Sequence, residues 1–262
     1  MEDIPVVILC GGKGMRLREE TETRPKPLVQ VGDMPILWHI MNIYSHYGFK
    51  RFILCLGYKG EMIKDFFINL RYNSDFSLDF AKNKEEIHNS QIPDWKITFA
   101  NTGAESSTGF RLKQIEKYID TDNFFLTYGD GLADVDINKL YNFHKSHNKI
   151  ATVTTVRPIT RFGNISISND NVITDFTKKT VAHEGWIDGG FFVLNRKVFN
   201  YIPNREDCEL EAEPLKNLAK DNEFVAFKHE GFWQCMDTYR EYQLLNEIWK
   251  SGNIPWNMKS KD

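Results

Sequence analysis

Short apolar runs closed by glycine alternate along the first half of this chain with longer stretches that are apolar on one face only. Residues 6–10 form a largely β-branched run ending on glycine, the pattern of a strand buried on both faces of a parallel sheet. Pro35 and Gly48 bracket a helix that carries Ile36, Leu37, Ile40, Met41 and Tyr44 on one face. Arg51–Leu56 reads as the next strand and residues 61–69 as another helix. Residues 82–95 are polar and irregular, which predicts a surface loop, and the alternation over residues 95–99 predicts a half-exposed strand. Residues 124–128 are again apolar and deliver Asp130 beyond their C-terminal end, where ligands sit in open parallel sheets. After a helix over Ile137–His147 the chain is richer in strands, at Ala151–Val156, Asn164–Ile167, 172–176, 186–194 and Phe224–Lys228. Pro214 opens a short helix, and Thr238-Tyr239-Arg240-Glu241 is a capping box that opens another. Units of βαβ type followed by more strands predict an α/β fold with a mixed, mainly parallel sheet flanked by helices. One domain over residues 1–262 is expected, without internal repeats.

Composition narrows the function. With 41% hydrophobic residues and 19 Phe, the chain can build a substantial aromatic core. A net charge of −3 argues against a nucleic-acid partner. No apolar run exceeds about six residues, too short for a membrane span or a signal-peptide core, so a cytoplasmic protein with no membrane partner is expected. Cys10, Cys55, Cys208 and Cys235 are scattered without a Cys-x-x-Cys pair, the usage of free thiols in a reducing compartment. His144 and His147 lie three apart on a helix but lack the cysteine or carboxylate neighbours that a metal site requires.

The densest chemistry is at the N-terminus, where Leu9-Cys10-Gly11-Gly12-Lys13-Gly14-Met15-Arg16 is followed by Pro25-Lys26-Pro27. Glycines after a buried strand let backbone N–H groups approach an anion closely, and Arg16 and Lys26 can add the charge that phosphate oxygens attract. The spacing is not that of a P-loop, and a dinucleotide fingerprint would need a glycine where Leu17 stands. A glycine turn of this kind also occurs where it serves only the fold.

Gly-Gly-x-Gly-x-Arg-Leu with Pro-Lys-Pro resembles the signature of nucleoside-triphosphate:sugar-1-phosphate nucleotidyltransferases. Pro35-Ile36-Leu37-Trp38-His39, Gly57-Tyr58-Lys59-Gly60, Tyr128-Gly129-Asp130-Gly131, Gly185-Trp186-Ile187-Asp188-Gly189-Gly190 and Gly231-Phe232-Trp233-Gln234-Cys235-Met236-Asp237 are similar to one branch, the glucose-1-phosphate cytidylyltransferases. The likeness runs from about residue 6 to residue 256. It implies a Rossmann-like fold of the nucleotide-diphospho-sugar transferase type, with a nucleotide-binding half over 1–135 and an acceptor-binding half over 136–262 that ends in a helix. It implies transfer of a cytidylyl group from CTP to a phosphorylated small acceptor, glucose 1-phosphate first, and a homo-oligomer. Arg16, Lys26, Asp130 and Asp237 are the implied catalytic residues, with Asp130 and Asp237 holding Mg2+. The nucleotide would lie against Leu9, Gly11, Gly12, Gly14, Met15, Arg16, Lys26, Ser106, Thr108, Arg111 and Gly129. The acceptor would meet Lys179, Asp188, Gly189 and Trp233.

Two of the departures from the family pattern lie beside the expected acceptor site. Met15 stands where a threonine is usual, and Phe110 where a glycine is common. Lys178 replaces a glutamate beside Lys179, and Asp188 replaces an asparagine. A carboxylate and an amide select different partners, so a different phosphorylated acceptor, including an amine-bearing one, is an alternative. A catalytically silent nucleotide-binding protein is a second alternative, disfavoured because Lys26, Arg16, Asp130 and Asp237 are all present.

Overall fold

The computed structural model describes residues 3–73, 75–88, 93–157, 164–167, 172–177 and 185–257. In chain order the strands are β1 (Pro5–Cys10), β2 (Gln30–Val31), β3 (Met34–Pro35), β4 (Arg51–Leu56), β5 (Phe76–Asp79), β6 (Lys84–Ile87), β7 (Lys96–Asn101) and β8 (Asn123–Tyr128). They continue with β9 (Gly131–Ala133), β10 (Ala151–Val156), β11 (Asn164–Ile167), β12 (Ile173–Thr177), β13 (Ile187–Asn195), β14 (Phe224–Lys228) and β15 (Trp233–Cys235). The helices are α1 (Arg18–Thr21), α2 (Ile36–His46), α3 (Gly60–Asn69), α4 (Thr108–Gln114), α5 (Ile137–His147), α6 (Glu213–Lys220) and α7 (Tyr239–Ser251).

Seven strands form the central sheet in the order β14-β10-β13-β8-β1-β4-β7. β13 runs antiparallel to β10 and β8, and the other neighbours are parallel. The β8–β13 pairing joins strands from the two halves of the chain in one sheet. β1 is buried on both faces because its side chains alternate between two apolar layers. Val6, Ile8 and Cys10 pack with Ile40 and Tyr44 of α2 and Leu245 of α7, while Val7 and Leu9 pack with Leu112 of α4 and Leu218 of α6. Each such fully buried aliphatic side chain contributes about 1.5–3 kcal/mol of burial free energy.

Connectivity places the site. From β1 the chain moves outward through β4 to β7, then returns to β8 on the other side of β1. The C-terminal ends of β1 and β8 therefore flank the point where strand order reverses, the crevice in which ligands bind in sheets of this type.

The polar stretch expected as a loop contains half of a hairpin. β5 and β6 pair antiparallel from Phe76↔Ile87 to Asp79↔Lys84, and Asp79 Oδ1 accepts from the N–H groups of Ala81 and Lys82 at its turn. Both strands are largely exposed; the alternation of Phe76-Ser77-Leu78-Asp79 in β5 is only four residues long, and the charged β6 has none. β7 is half-buried, as its alternation predicts, and lies at an edge of the sheet. Among the described residues, no helix is long and apolar enough to cross a membrane.

Candidate active site

A cavity of about 510 Å³ opens at the C-terminal ends of β1 and β8, within the size range of small-molecule sites. Every residue expected on the nucleotide side lines it, Met15 and Gly129 included, and so do Asp130 and Asp237. The glycines of the loop have separate reasons. Gly14 adopts φ +64°, a left-handed conformation that side chains disfavour. A Cβ on Gly11 would fall 2.2 Å from the Arg111 guanidinium carbon, whereas a Cβ on Gly12 would meet nothing within 4 Å. Gly129 allows the end of β8 to approach β1, since a Cβ there would sit 2.9 Å from the Leu9 carbonyl oxygen.

Lys26 lies at the centre of the charged cluster. Its Nζ donates to Asp130 Oδ2 at 2.7 Å and to Asp237 Oδ1 at 2.5 Å. Arg16 Nη1 donates to the other oxygen of Asp237 at 2.6 Å, from a side chain that is 78% exposed. Burial pulls the Lys26 ammonium down, but the Asp130 and Asp237 carboxylates together outweigh it and leave its pKa raised. Although 107 residues separate the two aspartates in sequence, local pairing brings them together. β9 and β15 pair with Gly131 opposite Cys235, and the Met236 N–H donates to the Asp130 carbonyl at 2.8 Å. Asp237 then leads into α7 through the expected capping box, in which Glu241 Oε2 accepts from the N–H groups of both Asp237 and Thr238.

Two carboxylates that already share one cation at hydrogen-bond distance are a donor set suited to a hard divalent ion, with phosphate and water oxygens completing its shell. Among the described residues there is no group of three or more histidine, cysteine or acidic side chains placed to bind a metal without such help. His144 and His147 both hydrogen-bond the Thr152 hydroxyl, and burial lowers the His144 pKa to about 4, so this pair serves packing.

The opposite wall is acidic. Tyr128 Oη lies 2.6 Å from Glu211 Oε1 and 3.3 Å from Asp188 Oδ2. A tyrosine hydroxyl carries one proton, so it cannot donate to both. Desolvation by surrounding groups pushes the Asp188 carboxyl above its ordinary value, although the residue as a whole is exposed. Asp188 Oδ1 also accepts from the Gly190 N–H at 2.7 Å. Glu211 Oε2 accepts from the Thr108 hydroxyl at 2.7 Å, tying the loop before α6 to the start of α4.

Several expected residues have structural partners in addition to, or instead of, a place on the cavity wall. The Trp233 indole donates to the Gly189 carbonyl at 2.7 Å and so supports the strand that carries Asp188. Asp188, Gly189 and Trp233 are not among the residues that line the cavity, and Asp188 reaches it through Tyr128. Arg111 is 4% exposed and donates to backbone carbonyls and a threonine hydroxyl rather than standing free for a base. Lys179 and its neighbour Lys178 lie outside the described residues. Glu209 and Glu211 line the cavity without having been singled out in the sequence, and so does Tyr128, which is named there only within a motif and given no role. Alternation of Glu209 and Glu211 about the buried Leu210 was the available signal.

The signature described as "Nucleotidyl transferase" matches residues 5–246. Glucose-1-phosphate cytidylyltransferase of Salmonella typhi is 46% identical over 252 residues, covering 95% of this chain and 97% of that protein, and the Salmonella typhimurium protein of the same name matches to the same extent. The crystal structure of HddC from Yersinia pseudotuberculosis superposes with a TM-score of 0.68 at 23% identity, over 94% of this chain and 99% of that one, a likeness of fold alone. Since the family signature and the relatives match nearly the whole length, the chain belongs to the nucleotidyl transferase family, in the branch of the glucose-1-phosphate cytidylyltransferases.

Proposed function

We propose that this protein transfers the cytidylyl group of CTP to glucose 1-phosphate, forming CDP-glucose and releasing pyrophosphate in a Mg2+-dependent reaction. The observation that carries the reading is the Lys26 ammonium held between Asp130 and Asp237 at the mouth of a glycine loop. The choice of cytosine and of glucose is supported by the Salmonella relatives.

An oxygen of the acceptor phosphate bonds to the α-phosphorus while the bond from that phosphorus to the bridging oxygen breaks. The acceptor phosphate is largely dianionic near neutral pH, its second pKa being roughly 6, so no general base is needed. The obstacle is bringing two anions into line, which positioned cations and N–H donors can overcome. The loop from Leu9 to Arg16 receives the β- and γ-phosphates, and Arg16, exposed at the cavity and paired with Asp237, steadies the departing pyrophosphate. Lys26 turns from the carboxylates to the α-phosphate oxygen, where negative charge builds in the transition state. Mg2+ held by Asp130 and Asp237 would supply further neutralisation of the donor phosphates.

An amine-bearing phosphate is the second reading of the acceptor, favoured by Asp188 and Glu211 facing one tyrosine hydroxyl. Both readings are tested by incubating the protein with each nucleoside triphosphate and a panel of sugar and amino-alcohol phosphates, with and without Mg2+, and measuring pyrophosphate. CTP with glucose 1-phosphate should give the fastest release. Release only with an amine-bearing phosphate would replace the acceptor, and silence throughout would leave a nucleotide-binding protein.

A cytoplasmic homo-oligomer completes the proposal. It is supported by apolar side chains left in solvent on and beside the β5–β6 hairpin, Phe80 being 90% exposed and Leu78 50%. Light scattering on the purified protein should give a mass that is a multiple of 30.6 kDa.

A further inference from the structure

Arg111 is the most heavily bonded side chain at the cavity, and its partners lie beneath the phosphate loop. Nη1 donates to the Leu56 carbonyl at 3.2 Å, the Thr102 hydroxyl at 2.9 Å and the Gly103 carbonyl at 2.6 Å. Nη2 donates to the Gly11 carbonyl at 3.1 Å and the Ala104 carbonyl at 3.2 Å. Two glycines make room for it, because a Cβ on Gly11 would lie 2.2 Å from Cζ and a Cβ on Gly57 would lie 2.4 Å from Nη1. Gly11 is therefore required by an internal side chain, whereas the open space beside Gly12 is left for a ligand.

The second partner of the Gly11 carbonyl is the Tyr58 N–H at 3.1 Å, so two donors hold that oxygen inward. A trans peptide points its C=O and its N–H in opposite directions. With the Gly11 oxygen fixed toward Arg111 and Tyr58, the Gly12 N–H of the same peptide is turned the other way, and Gly12 itself lines the cavity with open space beside it. The partners of the guanidinium are neutral oxygens. Among the described residues no carboxylate lies within ion-pair distance of it, unlike Lys26 nearby; Glu105, paired with Lys13, acts on it only from farther away. Neutral dipoles solvate a buried charge but leave its field in place, and burial of the Arg111 side chain limits the screening of that field by water.

We propose that Arg111 is a positioning residue for the triphosphate: it locks the Gly11–Gly12 peptide with its N–H directed at the phosphates, and its unmatched charge is answered by the β- and γ-phosphates of the bound nucleotide. This deepens the nucleotide reading and rests on it. It also separates two roles for an arginine near a base, since a residue that reads the cytosine would act on every cytidine nucleotide alike.

The test is calorimetric titration of Arg111→Lys and wild type with CTP, CMP and pyrophosphate, each with Mg2+ and without acceptor. The expected result is that CTP and pyrophosphate bind about tenfold or more weakly to the variant, while CMP stays within about twofold. Equal weakening of CMP and CTP, or unchanged pyrophosphate affinity, overturns the proposal. Wild type that binds none of the three would instead remove the nucleotide reading. A second measurement needs no variant: in 15N-labelled wild type, pyrophosphate should shift the Gly12 amide resonance strongly. Pyrophosphate binding that leaves that resonance unmoved also overturns the proposal.

Discussion

The two walls of the cavity, proposed to meet the nucleotide and the acceptor, are built from opposite charge. On the nucleotide side, Arg16, Lys26 and Arg111 gather around a backbone loop, and two of them are drawn toward Asp237 and Asp130. On the acceptor side, Glu211 and Asp188 share Tyr128, and among the described residues no cation lies within ion-pair distance of either. In the proposed function the first arrangement would answer charge that any nucleoside triphosphate brings. The second would answer the particular hydroxyls or amines of one acceptor, which is where a family can change partner while keeping its chemistry.

That contrast can be broken most severely at Lys26. Lys26→Ala leaves Asp130 and Asp237 facing each other without their shared cation and should lower kcat by about a hundred- to a thousandfold. The KM for CTP should rise far less, as steady-state pyrophosphate release can measure. Near-normal turnover would remove Lys26 from the chemistry.

The acceptor side should respond in the other parameter. Glu211→Gln keeps the shape but weakens the contacts with Tyr128 and Thr108, and it should raise the KM for the acceptor about tenfold while the KM for CTP stays within about twofold. Equal changes in both constants would mean that the two walls are not separable.

The pH dependence sharpens the same contrast. Burial raises the Asp188 carboxyl, so its charged form is penalised in the folded protein, and its contribution to stability falls as pH rises from the ordinary carboxylate value through the raised one. Lys26 is raised by its two carboxylates despite burial, so its contribution is complete below the ordinary lysine value and is lost as pH rises through the raised one. Thermal melts of Asp188→Asn should lose the acid-side slope of wild type, and melts of Lys26→Met should lose the alkaline one.

The smallest expected effect lies outside both walls, at the cap that aims Asp237. Thr238→Ala removes the hydroxyl that accepts from the Glu241 N–H and should cost about 1 kcal/mol, roughly 2–4 °C in Tm. A larger loss of activity than of stability would show that the cap also places Asp237.

The same contrast explains what the sequence reveals and what it hides. The glycine loop, Lys26 and the capping box are contiguous signals, each dictated by backbone chemistry within a few residues, and they are legible without coordinates. So are the buried strands, because two apolar faces leave a continuous run. The pairing of Asp130 with Asp237 depends on β9 meeting β15, a long-range register that only the family likeness announces. Glu211 is hidden because an acidic residue before a proline-led helix has a sufficient local reason to be there, the dipole at the helix start. Arg111 is legible as a site residue but not as a support, since its role depends on carbonyls from residues 11, 56, 103 and 104 converging around it. The β5–β6 hairpin escapes because the apolar alternation of β5 is only four residues long and the charged β6 carries none.

The account depends most on Asp130 and Asp237 acting as one unit, and a double-mutant cycle on metal-dependent turnover tests that directly. Asp130→Asn, Asp237→Asn and the double variant should each lose activity to nearly the same extent, because breaking either carboxylate dismantles the shared site. Losses that multiply in the double variant would mean that the two side chains work independently, and would contradict the account.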